Sequence, residues 1–118
     1  MYTFIRIDWE LKRMFYLGVD LGGTTIKAGL VNEQYKIIDH AVCDTKRERL
    51  PSEILKDMAM LCQKLLERNG LTEKDIRSIG IGCPGKASPR DGIIYTTSNL
   101  TNFDNVNVRE EIQRYMNV

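Results

Sequence analysis

Residues 16–31 constrain the fold of this chain more than any other segment, because two apolar alternating runs flank a short Gly-Gly-Thr-Thr sequence. Every second residue before the glycines is apolar, and the same period returns after them. This pattern predicts two half-buried β-strands. Glycines at the tip of such a hairpin can adopt positive φ angles and let backbone N–H groups approach an anion. The segment therefore predicts a hairpin whose tip binds phosphate.

The polar residues around the tip are those that a phosphate site needs. Thr24 and Thr25 supply hydroxyl donors, and Lys27 supplies a cation. Asp20 ends the first strand, where a carboxylate beside phosphates serves to hold a divalent cation, usually through water. A plain Gly-Gly hairpin turn is the alternative, but it needs no Asp, Thr and Lys together. The predicted phosphate site consists of Asp20, Gly22, Gly23, Thr24, Thr25 and Lys27.

The glycine pattern also resembles that of a known family. It is neither a P-loop nor a dinucleotide fingerprint, because a strand and not a helix follows the glycines. Asp-Leu-Gly-Gly-Thr-Thr-Ile-Lys at residues 20–27 resembles the first phosphate-binding motif of the actin and sugar-kinase superfamily. The form is that of the ROK family (repressors, open reading frames and kinases), particularly the bacterial glucokinases. Further blocks agree in order and spacing at residues 79–85, 92–95, 98–100, 105–106 and 108–112.

This resemblance, which runs from about Phe15 to the last residue, implies both a fold and an activity. The implied fold is the ribonuclease H-like, actin-like ATPase fold. The implied activity is transfer of the ATP γ-phosphoryl group to a hydroxyl of a small-molecule sugar, with ATP and magnesium as cofactors and Asp20 at the metal. By position, the loop at Gly85 and Lys86 and the segment at Ser98 and Asn99 resemble the parts of the family that face the sugar.

Several alternatives stay open. The polar run at residues 96–99 suits sugar hydroxyls, which need paired donors and acceptors, but a polar turn with side-chain caps has the same composition. The chain could also be the sugar-binding domain of a ROK transcriptional repressor, although only about a dozen residues precede the fold. A non-catalytic member of the superfamily is a third interpretation. Glucose, an N-acetylhexosamine and fructose all remain candidate sugars.

Composition excludes some classes of protein. The 118 residues carry a formal net charge of +1, so charge gives no argument for binding nucleic acid or an anionic membrane. No apolar run approaches the ~20 residues of a membrane span, and no signal peptide is evident, so we expect a cytoplasmic protein. Cys43, Cys62 and Cys83 suit reduced thiols, and a single histidine, His40, argues against a zinc site.

The remaining periodicity predicts a β-β-β-α-β order. Residues 36–45 read as a third strand with apolar positions at Ile37, Ile38, Ala41, Val42 and Cys43, followed by a charged loop at 46–50 that we interpret as solvated surface. A helix follows from Pro51 to a stop at Asn69-Gly70. Its apolar stripe is Ile54, Leu55, Met58, Leu61, Cys62, Leu65 and Leu66. A capped turn at 72–75 leads to a fourth, parallel strand at 76–82.

The last third of the chain is predicted to be mixed. Residues 86–91 are polar, 89–92 form a turn, and 93–95 form a short strand. Asn107 and Glu110 form a capping pair for a final helix, on which one apolar stripe is expected. The stripe comprises Val108, Ile112, Tyr115 and Met116.

The resemblance also indicates where the domain begins and what it lacks. We expect residues 1–14 to be an N-terminal extension, with a short ordered arm packing through Phe4, Ile5 and Trp9 as the alternative. Residues 15–118 correspond to the N-terminal lobe of the family, truncated before the catalytic base, which in ROK kinases is the Asp of an Asn-Asp-Ala-Asn-like motif. We therefore expect these residues alone to be inactive. An incomplete sheet leaves an exposed edge, so we also expect a homo-oligomer.

Overall fold

The computed structural model describes residues 14–83, 85–97, 100 and 102–118. The predicted extension, apart from Met14, and the predicted sugar residues Ser98 and Asn99 lie outside this part of the chain. The elements are β1 (Phe15–Leu21), β2 (Thr25–Val31), β3 (Ile37–Asp44), α1 (Pro51–Arg68), a 3-10 turn (Glu73–Asp75), β4 (Ile76–Gly82), β5 (Gly85–Ser88), β6 (Ile93–Thr97), β7 (Val106–Asn107) and α2 (Val108–Gln113).

The first four strands form one mixed sheet in the order β3-β2-β1-β4. β1 is antiparallel to β2 and parallel to β4, and β2 is antiparallel to β3. The predicted β-β-β-α-β order and the parallel fourth strand are confirmed. Alternation puts Leu17, Val19 and Leu21 of β1 on the same face as their β2 partners Leu30, Ala28 and Ile26, and all six side chains are buried.

Helix α1 covers this apolar face. Pro51 occupies the first turn, where its missing N–H costs nothing, and Glu53 lies near the positive end of the helix. The helix ends where Gly70 adopts a φ of 68° and the N–H of Leu71 donates to the carbonyl of Leu66 at 2.9 Å. The predicted stripe is confirmed, with Ala59 added. Its buried members are Ile54, Leu55, Met58, Ala59, Leu61, Cys62, Leu65 and Leu66.

The opposite face of the sheet has a row of glycines at its centre. Gly18 lies between Gly29 on β2 and Gly80 on β4, so one row across three strands is bare backbone. A Cβ added at Gly18 or Gly80 would meet nothing within 4 Å. The prediction for β3 was wrong at three positions, because Ile37, Ile38 and Val42 are exposed. This strand is an edge of the described sheet, and only Ala41 and Cys43 pack against the core.

A second, three-stranded sheet follows in the order β5-β6-β7. β5 was not predicted, because residues 85–88 show no alternation, and it forms by antiparallel pairing with β6. The predicted turn at 89–92 is confirmed, since Gly92 N–H donates to the Ser88 carbonyl at 2.8 Å. The Asn107 side chain caps α2 by accepting from Glu110 N–H at 2.9 Å. α2 packs against α1 and buries Val108 and Ile112.

Among the helices in the described ranges, none is long and apolar enough to cross a membrane.

Candidate functional site

The tip of the β1–β2 hairpin is closed by one backbone hydrogen bond, from the Gly22 N–H to the Thr25 carbonyl at 3.0 Å. A Cβ at Gly22 would lie 2.7 Å from that carbonyl oxygen, closer than real Cβ atoms come. Position 22 therefore requires glycine, because the Thr25 carbonyl occupies the space that a side chain would need. The expected positive φ angles were wrong for both tip glycines, because the positive-φ glycines in the described part of the chain are Gly70, Gly85 and Gly92.

The tip presents donors without partners. Within the residues that the structure describes, the amides of Gly23 and Thr24 make no hydrogen bond, and neither do the hydroxyls of Thr24 and Thr25. Thr24 is exposed. Unpaired N–H and O–H groups on consecutive residues of a turn can donate to a phosphate oxygen. The structure thus brings together the donors that the sequence singled out.

Asp20 and Lys27 face each other across β1 and β2 on the open side of the sheet. Both are exposed, and neither forms an ion pair with another described residue. On its other side Asp20 is paired with Gly82 of β4, which has no side chain. Asp20 is therefore a carboxylate next to bare backbone, open to a ligand that lies along the tip.

The donor set around Asp20 suits magnesium better than a metal with an all-protein cage. No group of three or more His, Cys, Asp or Glu side chains that could hold an ion occurs in the described ranges. Mg²⁺ keeps several waters and is commonly bound by one or two carboxylates together with phosphate oxygens. One carboxylate beside a turn with unpaired N–H and O–H donors fits that preference.

Thr45 supports the tip from behind, and it was not among the residues predicted for the site. Its side chain is 0% exposed. The Thr45 hydroxyl donates to the Gly22 carbonyl at 2.8 Å, and its N–H donates to the Thr24 carbonyl at 2.8 Å. Thr45 follows β3, so it reaches the tip only because β3 pairs with β2 in this register. In the sequence, Thr45 could have been recognised only as a hydroxyl residue at the end of the third predicted strand.

Arg49 departs from the solvated loop that we predicted for residues 46–50. Its side chain is 26% exposed, and one guanidinium nitrogen, Nη2, donates to the Thr45 carbonyl at 2.8 Å. The other, Nη1, forms an ion pair of 2.9 Å with Asp57 on α1. The prediction was therefore wrong for Arg49, which is tied to both the helix and the residue behind the tip. Arg47 and Glu48 are exposed, as a solvated loop requires.

Gly85 and Lys86, two of the predicted sugar residues, follow β4 at the same end of the sheet. Asp20 pairs with Gly82, and Gly85 begins β5 three residues later with a φ of 137°, which only glycine adopts readily. Gly85 and Lys86 are exposed and pair with Thr97 and Thr96 of β6. Their strand partners thus directly precede Ser98 and Asn99, which lie outside the described residues.

The ends of this polar segment are held together. The Thr97 hydroxyl donates to the Leu100 carbonyl at 2.8 Å and accepts from the Leu100 N–H at 3.2 Å. Leu100 is buried. Ser98 and Asn99 are therefore flanked by two anchored residues.

A cavity of about 540 Å³ lies elsewhere, along the outer edge of β4. Its lining includes Ile79 and Ile81 of β4, Ile94 of β6, and Val108 and Ile112 of α2. None of the predicted phosphate residues lines it. The candidate site is thus an exposed turn and sheet face, distinct from this apolar cavity.

The mixed sheet with its covering helix defines the class of the protein. Its fold is the ribonuclease H-like, actin-like ATPase fold, as predicted. One solved structure with this fold is a ROK family glucokinase from Streptomyces griseus in complex with glucose and AMPPNP. It superposes with a TM-score of 0.72 over 85% of this chain, at 22% identity. A ROK family transcriptional regulator, a homologue of the E. coli MLC protein, superposes with a TM-score of 0.74 over 91% of this chain, at 16% identity.

The family model of the ROK family matches residues 16–118, and the chain belongs to that family. The glucokinase of Thermotoga maritima is 31% identical over 104 residues, which are 88% of this chain and 31% of that protein. The two superposed structures are covered over 30% and 26% of their own chains. The chain thus spans between a quarter and a third of the length of the curated relatives it matches.

Proposed function

We propose that this chain is the N-terminal part of an ATP-dependent, glucokinase-like hexose kinase, which transfers the γ-phosphoryl group to a sugar hydroxyl. The observation that carries the proposal is the tip itself. The Gly23 and Thr24 amides have no partner among the described residues, and the carboxylate of Asp20, at the end of the strand before them, forms no ion pair with a described residue. Membership of a family that contains glucokinases supports the same assignment.

Each residue of the tip has a distinct task in this proposal. The amides of Gly23 and Thr24 and the hydroxyls of Thr24 and Thr25 donate to phosphate oxygens. Lys27 offsets part of the phosphate charge. Asp20 holds magnesium through water, and the metal, when bound, neutralises negative charge on the phosphates. The close approach at Gly22 keeps the turn tight enough for these donors to converge.

The sugar is proposed to lie beyond the ends of β1 and β4. Gly85 offers exposed backbone, Lys86 an exposed cation, and Ser98 and Asn99 hydroxyl and amide groups. Hydroxyls of a sugar bind where donors and acceptors are paired with them, because an unpaired buried hydroxyl costs about 1–3 kcal/mol. Glucose, an N-acetylhexosamine and fructose all have hydroxyls that these groups could match.

Phosphoryl transfer also needs a base to accept the hydroxyl proton. Asp20 is assigned to the metal, and the Asn-Asp-Ala-Asn-like motif of ROK kinases has no counterpart in these 118 residues. We therefore propose that these residues alone bind phosphate but show negligible ATP-dependent phosphorylation of glucose. Robust turnover by the 118-residue chain would contradict this part of the proposal.

Phosphate binding can be tested on the chain as it is. Inorganic tripolyphosphate is the probe. It carries the phosphate groups without the nucleoside, and the residues that bind adenosine in the family are expected outside these 118 residues. Titration of nitrogen-15-labelled protein should shift the Gly23 and Thr24 amide resonances, and magnesium should tighten binding roughly tenfold. Asp20→Asn should remove the magnesium effect. Asp104→Asn, a matched change on an exposed carboxylate of the loop before β7, should preserve it.

The outcome also separates the alternatives. Wild-type protein that binds glucose but shows no shift at the tip would contradict the kinase assignment and favour a sugar-binding regulator. A regulator of the same fold needs no phosphate site, whereas a kinase does. Loss of the magnesium effect in both Asp variants would show that Asp20 has no special role.

A further inference from the structure

Thr45 is the only buried polar or charged residue among those that the structure describes. Both of its hydrogen-bond donors, the hydroxyl and the backbone N–H, are used on carbonyl oxygens of the hairpin tip, those of Gly22 and Thr24, at 2.8 Å each. A buried polar side chain is retained at low cost only where it is fully paired. Thr45 therefore satisfies two tip carbonyls that no strand partner on β1 satisfies.

These two bonds orient the tip amides, because a trans peptide is planar and its C=O and N–H groups point in opposite directions. No described peptide bond is cis. With the Gly22 carbonyl directed at Thr45, the N–H of Gly23 points away from it. Likewise, because the Thr24 carbonyl accepts from the Thr45 N–H, the N–H of Thr25 points away from Thr45. The Gly23 N–H is thereby directed away from the buried Thr45 side chain, and Gly23 itself is partly exposed.

Thr45 is in turn held by α1. Arg49 Nη2 donates to the Thr45 carbonyl at 2.8 Å, and Arg49 Nη1 contacts Asp57 Oδ2 at 2.9 Å. The hydrogen bonds thus run without a break from the helix, through Arg49 and Thr45, to the hairpin tip. Bonds that involve charged groups are stronger than neutral ones, so Asp57 fixes the guanidinium in the orientation that Thr45 requires.

We propose that Thr45, Arg49 and Asp57 form a brace that presets the tip for phosphate. They are positioning residues, since none of them contacts the ligand in the proposed function on which this inference rests. Preorganised donors bind more tightly because no ordering cost is incurred at binding. The brace therefore raises phosphate affinity by fixing the direction of the Gly23 amide before the ligand arrives.

The hydroxyl is tested by Thr45→Val, which keeps the shape of the side chain, and by Thr45→Ser, which keeps the hydroxyl. In Thr45→Val the Kd for inorganic tripolyphosphate with magnesium should rise roughly three- to tenfold, the effect of one hydrogen bond. Thr45→Ser should restore most of the affinity. Equal Kd values for wild type and a folded Thr45→Val variant would overturn the brace.

The arginine has a matched control on the same loop. Arg49→Ala removes the link to the helix, whereas Arg47→Ala removes an equal charge from an exposed position. If Arg49 acts only through long-range attraction to phosphate, both variants weaken binding equally and both effects vanish at high salt. The brace requires a larger loss in Arg49→Ala that persists at high salt.

A ligand-free measurement keeps this inference separate from the proposed function. Amide hydrogen exchange at positions 22 and 45, whose N–H groups are hydrogen-bonded to the Thr25 and Thr24 carbonyls, should speed up in Thr45→Val and Arg49→Ala, relative to Arg47→Ala, because the tip opens more often. If wild-type protein does not bind tripolyphosphate, the proposed function fails. The exchange rates alone then show whether Thr45, Arg49 and Asp57 hold the tip in place. Unchanged exchange at the tip in both brace variants would refute it.

Discussion

Asp39 on β3 and Arg68 in the last turn of α1 are joined by two parallel hydrogen bonds of 2.9 Å each, from Nε to Oδ2 and from Nη2 to Oδ1. Arg68 also donates to the His40 carbonyl, and the Asn69 amide donates to Asp39 Oδ2 at 2.8 Å. This cluster fastens the outer strand to the helix that covers the sheet. The fork geometry makes it specific for arginine, because lysine cannot donate two parallel bonds.

The first prediction is a pH dependence of stability that comes from Asp39. Hydrogen bonds from Arg68, then from Asn69 and the His40 N–H, lower the pKa of Asp39 from 3.8 to about 2. A carboxyl whose pKa is lower in the folded state stabilises that state above its unfolded pKa, and the contribution is lost as pH falls through the folded pKa. The free energy of unfolding should therefore drop between about pH 4 and pH 2.

Urea unfolding of wild type and Asp39→Asn across this pH range checks the prediction. The difference in unfolding free energy should be largest near neutral pH and should shrink as pH falls from 4 to 2. Asp44→Asn, which alters another carboxyl of β3 outside this cluster, is the matched control. A difference between wild type and Asp39→Asn that stays constant at all pH values would contradict the assignment.

The second prediction concerns two glycines with the same backbone conformation and different surroundings. Gly92 has a φ of 71° and Gly70 a φ of 68°. A Cβ at Gly92 would lie 2.5 Å from Arg109 Cβ, whereas one at Gly70 would meet nothing within 4 Å. Arg109 cannot move aside easily, because its guanidinium donates to the carbonyls of Pro89 and Arg90 at 2.8 and 2.7 Å.

Gly70→Ala should therefore cost only the backbone strain, about 1 kcal/mol of unfolding free energy. Gly92→Ala should cost that strain plus overpacking, roughly 2–4 kcal/mol in total. Chemical denaturation of the two variants gives the comparison directly. Equal losses in both would mean that the contact with Arg109 is relieved by a shift of α2.

The strands and helices that could be predicted are those whose local pattern agrees with their tertiary role. β4 was predicted at its observed bounds, and the capped turn before it is real, with Thr72 N–H donating to Asp75 Oδ2 at 2.9 Å. The stripe of α1 repeats with helical period because one face meets the sheet. In such segments the chain neighbours of a residue decide its environment.

The parts that could not be predicted depend on partners distant in sequence. β5 is short and polar and exists because β6 pairs with it. Thr45 lies 23 residues from Gly22 in sequence, and the register of β3 alone brings their hydroxyl and carbonyl together. Exposure of Ile37 follows from the edge position of β3, which alternation does not reveal. The period of apolar residues predicts which face of a strand or helix is buried, but it does not predict which distant residues pack or pair with that element.

The third prediction concerns cysteine reactivity. Cys62 is 1% exposed, and burial, with a smaller contribution from Cys43, raises the pKa of its thiol from 9.0 to about 12. Thiolate is the reactive form, so iodoacetamide at about pH 8 should leave Cys62 unmodified in folded protein. The partly exposed Cys43 and Cys83 should react first, and all three should react alike in urea. Peptide mass spectrometry measures each rate, and equal native rates would contradict burial of Cys62.

The last prediction is self-association through the edge strand β3. Ile37 is 70% exposed, Ile38 47% and Val42 52%, so this edge of the described sheet offers apolar side chains beside unpaired backbone groups. A second copy of the chain can cover these side chains and pair with the backbone groups. A lysine on an edge strand opposes such pairing. Ile37→Lys should therefore reduce the self-association that sedimentation velocity detects in wild type. Met60→Lys, an equal charge change on an exposed apolar residue of α1, should not. A monomeric wild type at high concentration, or equal behaviour of the two variants, would exclude β3 as the contact.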